Sequence, residues 1–142
     1  MTGLTTTSTP THPLLRVIVA DDIPQVRQDL HLMLQLTGEV DVIGEAASGW
    51  EAILQAETLH PDVMVIDLIM PDMDGCQITH AIKAFGLANR VIILSIHANP
   101  EDIERALKAG ADAYIQKGED LSILVKAITG SDQATTQKGV NP

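Results

Sequence analysis

Four short apolar runs in this chain end beside residues able to do chemistry. "RVIVA" runs into Asp21 and Asp22, "DVMVI" into Asp67, "RVIILS" closes on Ser95, and "DAYIQ" is followed by Lys117. A carboxylate at the end of a greasy strand must be paired, hydrated or used, because an unpaired ion out of water is costly. Taken singly, each has a plain explanation: an Asp or Ser after a strand commonly forms a turn or caps a helix, and a Lys is commonly solvated. Gathered on one rim, they describe a site. Two carboxylates 4 Å apart repel by roughly 4 kcal/mol at an effective dielectric near 20, so three together need counter-cations. Lys117 supplies one positive charge, and Mg²⁺ suits the remainder because it takes oxygen ligands, keeps waters and accepts a phosphate oxygen. Zinc is disfavoured, since His12, His31, His60, His80 and His97 are scattered and Cys76 is solitary. A carboxylate beside a dication and an amine is equipped to attack a phosphoryl group and form an aspartyl phosphate, with the Ser95 hydroxyl able to hydrogen-bond a transferred oxygen. Asp67 is the candidate acceptor. The same parts leave a metal-dependent phosphatase open.

Such a rim exists only if the runs are neighbouring parallel strands. Those around Val17, Val63 and Val91 are continuously apolar, as expected for central strands covered on both faces. Between the runs, apolar residues recur at helical spacing: Val26, Leu30, Met33 and Leu34; Ile78, Ile82 and Phe85; Leu121, Leu124, Val125 and Ile128. Each stripe is expected to face the sheet. Ser48 followed by Glu51 reads as a capping box, Asn99-Pro100 as a cap with proline at the first helical position, and Gly110 as a helix stop. With "VDVIGEA" as a further strand, the expectation is an α/β fold: a five-stranded parallel sheet, flavodoxin-like (βα)5 and doubly wound, in strand order 2-1-3-4-5. Ligands then sit beyond the carboxyl ends of the strands, where the order reverses.

The whole chain is consistent with this. Its 142 residues suit one domain, and hydrophobic content of 45% with only 2% aromatics implies an aliphatic core. Nine Lys plus Arg against nineteen Asp plus Glu give a formal charge of −10, which argues against direct nucleic acid binding and against anionic membranes. One cysteine, no secretory signal and no long apolar span point to the cytoplasm. Residues 1–13 and 130–142, rich in Thr, Pro, Gly and polar residues, are expected to be a disordered leader and tail around an ordered body at 14–129.

In combination, "VADD", "VIDLIMPDMDG", "ILSIH" and "GADAYIQK" resemble the receiver domain of two-component response regulators, over nearly all of the chain from Leu15 to Ile128. Within that family the chain is most similar to the LuxR/NarL-type receivers that precede a DNA-binding helix-turn-helix. The resemblance implies that Asp67 accepts a phosphoryl group from a sensor histidine kinase or phosphotransfer protein. It implies that Asp22, Asp67 and the Ile69 backbone carbonyl ligate Mg²⁺, with Asp21 acting through water. Ser95 would be the switch hydroxyl, Lys117 the ion-pair partner and Tyr114 the aromatic that turns inward, while Pro71 and Gly75 shape the loop after Asp67. A downstream effector protein would read the switched surface, and homodimer formation is left open.

Two features depart from the pattern. Many relatives place proline after the lysine, with a cis bond, whereas Gly118 stands here, and cis before a non-proline costs about 2.5–4 kcal/mol. After Ile128 there is no room for a helix-turn-helix, so output is expected from a partner, or the chain is a receiver module separated from a DNA-binding regulator. A receiver that binds proteins without being phosphorylated is the other alternative, and the complete set Asp21, Asp22, Asp67, Ser95 and Lys117 argues against it. A haloacid-dehalogenase-like phosphatase would want an Asp where Ile69 stands. A flavodoxin-like electron carrier would want a hydroxyl-rich loop where "DDIPQ" stands.

Overall fold

Branched aliphatic residues that alternate between two covered faces dictate the centre of the structure, a computed structural model describing residues 13–131. The chain runs β1 (Leu15–Ala20), α1 (Pro24–Leu36), β2 (Val40–Ala46), α2 (Gly49–Leu59), β3 (Val63–Asp67), α3 (Gly75–Ala84), β4 (Arg90–Ser95), α4 (Pro100–Ala109), β5 (Ala113–Gln116) and α5 (Leu121–Thr129). All pairings are parallel and the order is β2-β1-β3-β4-β5, the expected one. The leader and tail expected at 1–13 and 130–142 lie outside the described residues, apart from Pro13, Gly130 and Ser131.

Side chains of successive strand residues point to opposite faces. Ile18, Met64, Ile66 and Ile93 therefore pack with Ala52, Ala56, Ile78, Ile82, Ile103 and Ala106 of α2, α3 and α4. Val17, Val19, Val63, Val65 and Ile92 pack with Leu30, Leu34, Leu124, Ala127 and Ile128 of α1 and α5 on the other face. Each fully buried Val, Leu, Ile or Met among these contributes roughly 1.5–3 kcal/mol, and the two layers cover both faces of the strands that carry the site. No helix among the described residues is long and apolar enough to cross a membrane.

The helix stripes hold with two corrections. Phe85 is 75% exposed because it caps α3 at its C-terminus rather than continuing the sheet-facing row, and Met33 is 45% exposed at the margin of α1. The Ser48 cap forms, with Ser48 Oγ accepting the Glu51 N–H, but the Glu51 carboxylate reaches back one residue further and takes the Ala47 N–H. The reciprocal capping box lies instead at Asp74 and Gln77, opening α3. Asn99 caps α4, and Gly110 ends it at φ +112°.

Candidate functional site

The order reverses between β1 and β3, so the carboxyl ends of these strands open a crevice that the neighbouring β4 and β5 complete. Register aligns the edge: Ala20 lies opposite Ile66, Asp67 opposite Leu94, and Ser95 opposite Gln116. One carboxylate oxygen from each of Asp21, Asp22 and Asp67 falls within 4.8 Å of the others. From β5, the Lys117 ammonium reaches Asp21 Oδ2 at 2.9 Å and Asp67 Oδ2 at 3.3 Å.

The three carboxylates differ in how firmly they are held. Asp21 is 2% exposed; its Oδ1 accepts the Ile23 N–H at 2.9 Å, its other oxygen takes Lys117, and its own N–H donates to the Ala46 carbonyl at 3.0 Å. Asp22 is exposed at the rim. Asp67 is the looser of the inner pair: beyond the longer Lys117 contact, its Oδ1 accepts the Ile69 N–H at 3.4 Å. Burial pushes the Asp67 carboxyl above its ordinary range, with the charge of Asp21 adding to the shift and Lys117 opposing it. Burial also works against the Lys117 ammonium, but the hydrogen bond and charges of Asp21 and Asp67 outweigh it and hold Lys117 above its usual value. Three carboxylates against one ammonium leave the pocket short of positive charge, and an all-oxygen donor set of this kind fits a hard divalent cation.

Ser95 stands at the end of β4, 1% exposed, with its hydroxyl accepting the His97 N–H at 3.1 Å. It is brought to the crevice, but its hydroxyl makes no hydrogen bond to Asp67 or Lys117. Its backbone carbonyl accepts the Lys117 N–H at 2.7 Å, which ties the amine's own backbone to β4. Tyr114 is already turned inward: the ring is buried, and its hydroxyl donates to the His97 carbonyl at 2.8 Å. Burial raises the Tyr114 phenol, so it stays a donor. His97, Ile69 and Ile96 are exposed around the mouth. The Lys117-Gly118 peptide is trans, and Gly118 takes φ +96°, a conformation that suits glycine.

The loop after Asp67 is shaped from both ends. A Cβ on Gly75 would come within 2.8 Å of the Asp67 carbonyl oxygen and 2.9 Å of Leu68 Cα, so only glycine lets α3 start this close to β3. Asp72 takes the first amides of α2, accepting the Gly49 and Trp50 N–H groups at 2.7 and 2.9 Å. Asp74, the α3 cap, also receives Arg105 from α4 at 3.2 Å. The Asp74-to-Gln77 spacing was a readable cap signal; the links of Asp72 and Arg105 carry no local sequence signature, because their partners are brought near only by folding.

Comparison with known proteins places this geometry in a family. A model of the response regulator receiver domain matches residues 17–129. The chain is 36% identical over 121 residues to the "Probable transcriptional regulatory protein NarL" of Mycobacterium tuberculosis, covering 85% of this chain and 56% of that protein. It is 33% identical over 112 residues to the nitrate/nitrite response regulator protein NarL of Escherichia coli strain K12, covering 79% and 52%. The chain thus spans about half the length of the curated relatives it matches. Among solved structures, the signal receiver domain of NarL from Mycobacterium tuberculosis superposes with a TM-score of 0.80 at 34% identity, covering 84% of this chain and 97% of that one. A DNA-binding response regulator of the LuxR family from Staphylococcus aureus gives 0.77 at 29% identity, covering 82% and 98%. A five-stranded parallel sheet with an acidic crevice at its switch point, matched along most of the chain to one domain model and to regulators of the NarL/LuxR type, belongs to the response regulator receiver domain family.

Proposed function

We propose that Asp67 accepts a phosphoryl group from a phosphohistidine of a sensor histidine kinase or phosphotransfer protein. The observation that carries this is the contrast between the two inner carboxylates. Each carboxylate has one contact per oxygen, but both contacts of Asp21 are 2.9 Å long whereas those of Asp67 are 3.3 and 3.4 Å, so Asp67 is the less tightly held of the two. An Asp67 oxygen forms the new O–P bond as the P–N bond breaks; the electron pair returns to the imidazole nitrogen, which takes up a proton, and nothing is oxidised. Asp22, Asp67 and the Ile69 carbonyl would hold Mg²⁺, with Asp21 acting through water. The bound ion would supply charge neutralisation for the phosphoryl oxygens. Lys117 orients the reacting carboxylate and adds its own positive charge to the oxygens.

Switching follows from Ser95 and Tyr114. The Ser95 hydroxyl accepts the His97 N–H through a lone pair and would donate its own O–H to a phosphoryl oxygen, while Tyr114 grips the carbonyl of that same His97, so a shift of Ser95 toward the phosphoryl group would carry the loop after β4 with it. Converting such an equilibrium from 1:99 to 99:1 takes about 5.5 kcal/mol, within reach of a few charge-assisted bonds. The surface of α4, β5 and α5 is what a downstream effector protein would read. We take 14–129 as the receiver unit, working in the cytoplasm, with its output through a partner or through a DNA-binding segment of a longer regulator.

The test is incubation with Mg²⁺ and acetyl phosphate, followed by intact-mass analysis. The wild-type chain should gain one phosphoryl group and Asp67→Asn none; full incorporation by Asp67→Asn would rule out this acceptor.

A further inference from the structure

The geometry points to Arg27 as a positioning residue for the acidic pair at the end of β1, a role that rests on the cation-binding reading of that site. Arg27 lies on α1, yet its guanidinium is directed back beneath the loop that precedes the helix. Nη1 donates to the Asp21 backbone carbonyl at 2.7 Å, and Nε donates to Glu45 Oε1 at 2.9 Å. The side chain is 14% exposed. Glu45, on β2, is itself fixed by His31 of α1, whose Nδ1 lies 2.6 Å from Oε2. Burial works against the Glu45 carboxylate, but hydrogen bonds from His31 and Arg27 outweigh it and hold its pKa below the usual value, so the anchor for Arg27 stays charged.

The consequence is local. The Asp21 carbonyl belongs to the peptide that joins Asp21 to Asp22, and the Asp21 N–H is already pinned to the Ala46 carbonyl at 3.0 Å. With Arg27 on the carbonyl, the backbone at Asp21 is fixed on both sides, and the direction in which exposed Asp22 leaves the strand is set. This matters because α1 begins without a side-chain cap: Ile23 occupies that position. A planar guanidinium with donors in a rigid fork can serve two fixed acceptors at once, whereas an ammonium on a flexible stem cannot hold the same geometry. Partners that orient a metal ligand typically change metal affinity by about 10- to 100-fold when removed.

Charge and positioning make opposite predictions here. Removing a cation near an acidic crevice should tighten Mg²⁺ binding if Arg27 acts only through its charge, and should weaken it if Arg27 positions the ligands. Mg²⁺ affinity is measured by isothermal titration calorimetry on the full chain, with thermal melts as the control for folding. Arg27→Met is expected to weaken binding about 10-fold, and Arg27→Lys, which keeps the charge, to weaken it by a smaller factor. Should Arg27→Met unfold, Arg27→Lys decides: an affinity within twofold of wild type overturns the proposal. Unchanged or tighter binding by a folded Arg27→Met overturns it as well. If the wild-type chain itself bound no Mg²⁺, the reading of the acidic site would fail and this role with it, whereas wild-type binding with unaltered variants would sink the Arg27 role alone.

Discussion

Among the described residues Lys117 is the one ammonium that serves both inner carboxylates, and Lys117→Met keeps most of its apolar stem while deleting that charge. The Asp21 contact at 2.9 Å corresponds to roughly 6 kcal/mol of attraction at an effective dielectric near 20. Against this stands the relief of no longer burying the amine, whose side chain is only 18% exposed. Breaking a buried pair by removing one partner typically costs 3–5 kcal/mol, and water reaching the crevice mouth argues for the lower end, about 3 kcal/mol. Unfolding entropy of about 2.1 cal/mol/K per residue over a domain of this size converts that to a fall in Tm of roughly 12 °C in metal-free buffer. The loss should be partly reversed by Mg²⁺, since a dication replaces the missing charge; ligand at 100 times its Kd stabilises by about 2.7 kcal/mol. Differential scanning calorimetry with and without Mg²⁺ reads both effects. A variant as stable as wild type without metal, or one whose Tm responds to Mg²⁺ less than wild type does, would refute the view that the crevice is held together by shared positive charge.

Gly75→Ala should destabilise the chain by about 1–3 kcal/mol, because its Cβ meets backbone rather than a yielding side chain, and should reduce phosphoryl incorporation at Asp67; chemical denaturation and intact mass measure the two. Under the proposed role of Asp67, Ile69, 56% exposed two residues further on, would shield an acyl phosphate, so Ile69→Asn should speed phosphoryl loss by about tenfold, equivalent to roughly 1.4 kcal/mol of barrier, and equal decay rates would remove that role. The Glu45 carboxyl is depressed in the folded state, so its contribution to stability is present above its unfolded value of 4.5 and is lost as pH falls through the lower folded value. Wild type should therefore exceed Glu45→Gln in Tm by a margin that is full at neutral pH and shrinks as pH falls below 4.5, in a pH series of thermal melts.

Much of this molecule could be read directly from the chain. Continuous runs such as Val63 to Ile66 mark strands covered on both faces, because only a doubly covered strand tolerates apolar residues at every position. Helical spacing marked the stripes of α3 and α5, and Asn99-Pro100 and Gly110 marked the ends of α4, because caps are local chemistry. Periodicity overreached at Phe85, where the spacing continues but the helix does not, and the capping box assigned at Ser48 and Glu51 left unread the reciprocal one at Asp74 and Gln77.

What the sequence determined by itself was the set of polar groups at the crevice, the strand ends that carry them and the order of the sheet, since strand patterning and side-chain chemistry are properties of short segments. Only the tertiary structure decided which of the inner carboxylates is held by the shorter contacts. Asp21 and Lys117 meet across 96 positions of sequence and Arg27 and Glu45 across 18, at distances that depend on the packing of α1 and α5 against the sheet. Hydrogen-bond lengths and burial are set by that packing. They give Asp21 the shorter contacts and Asp67 the longer ones, the contrast on which the proposed role of Asp67 rests.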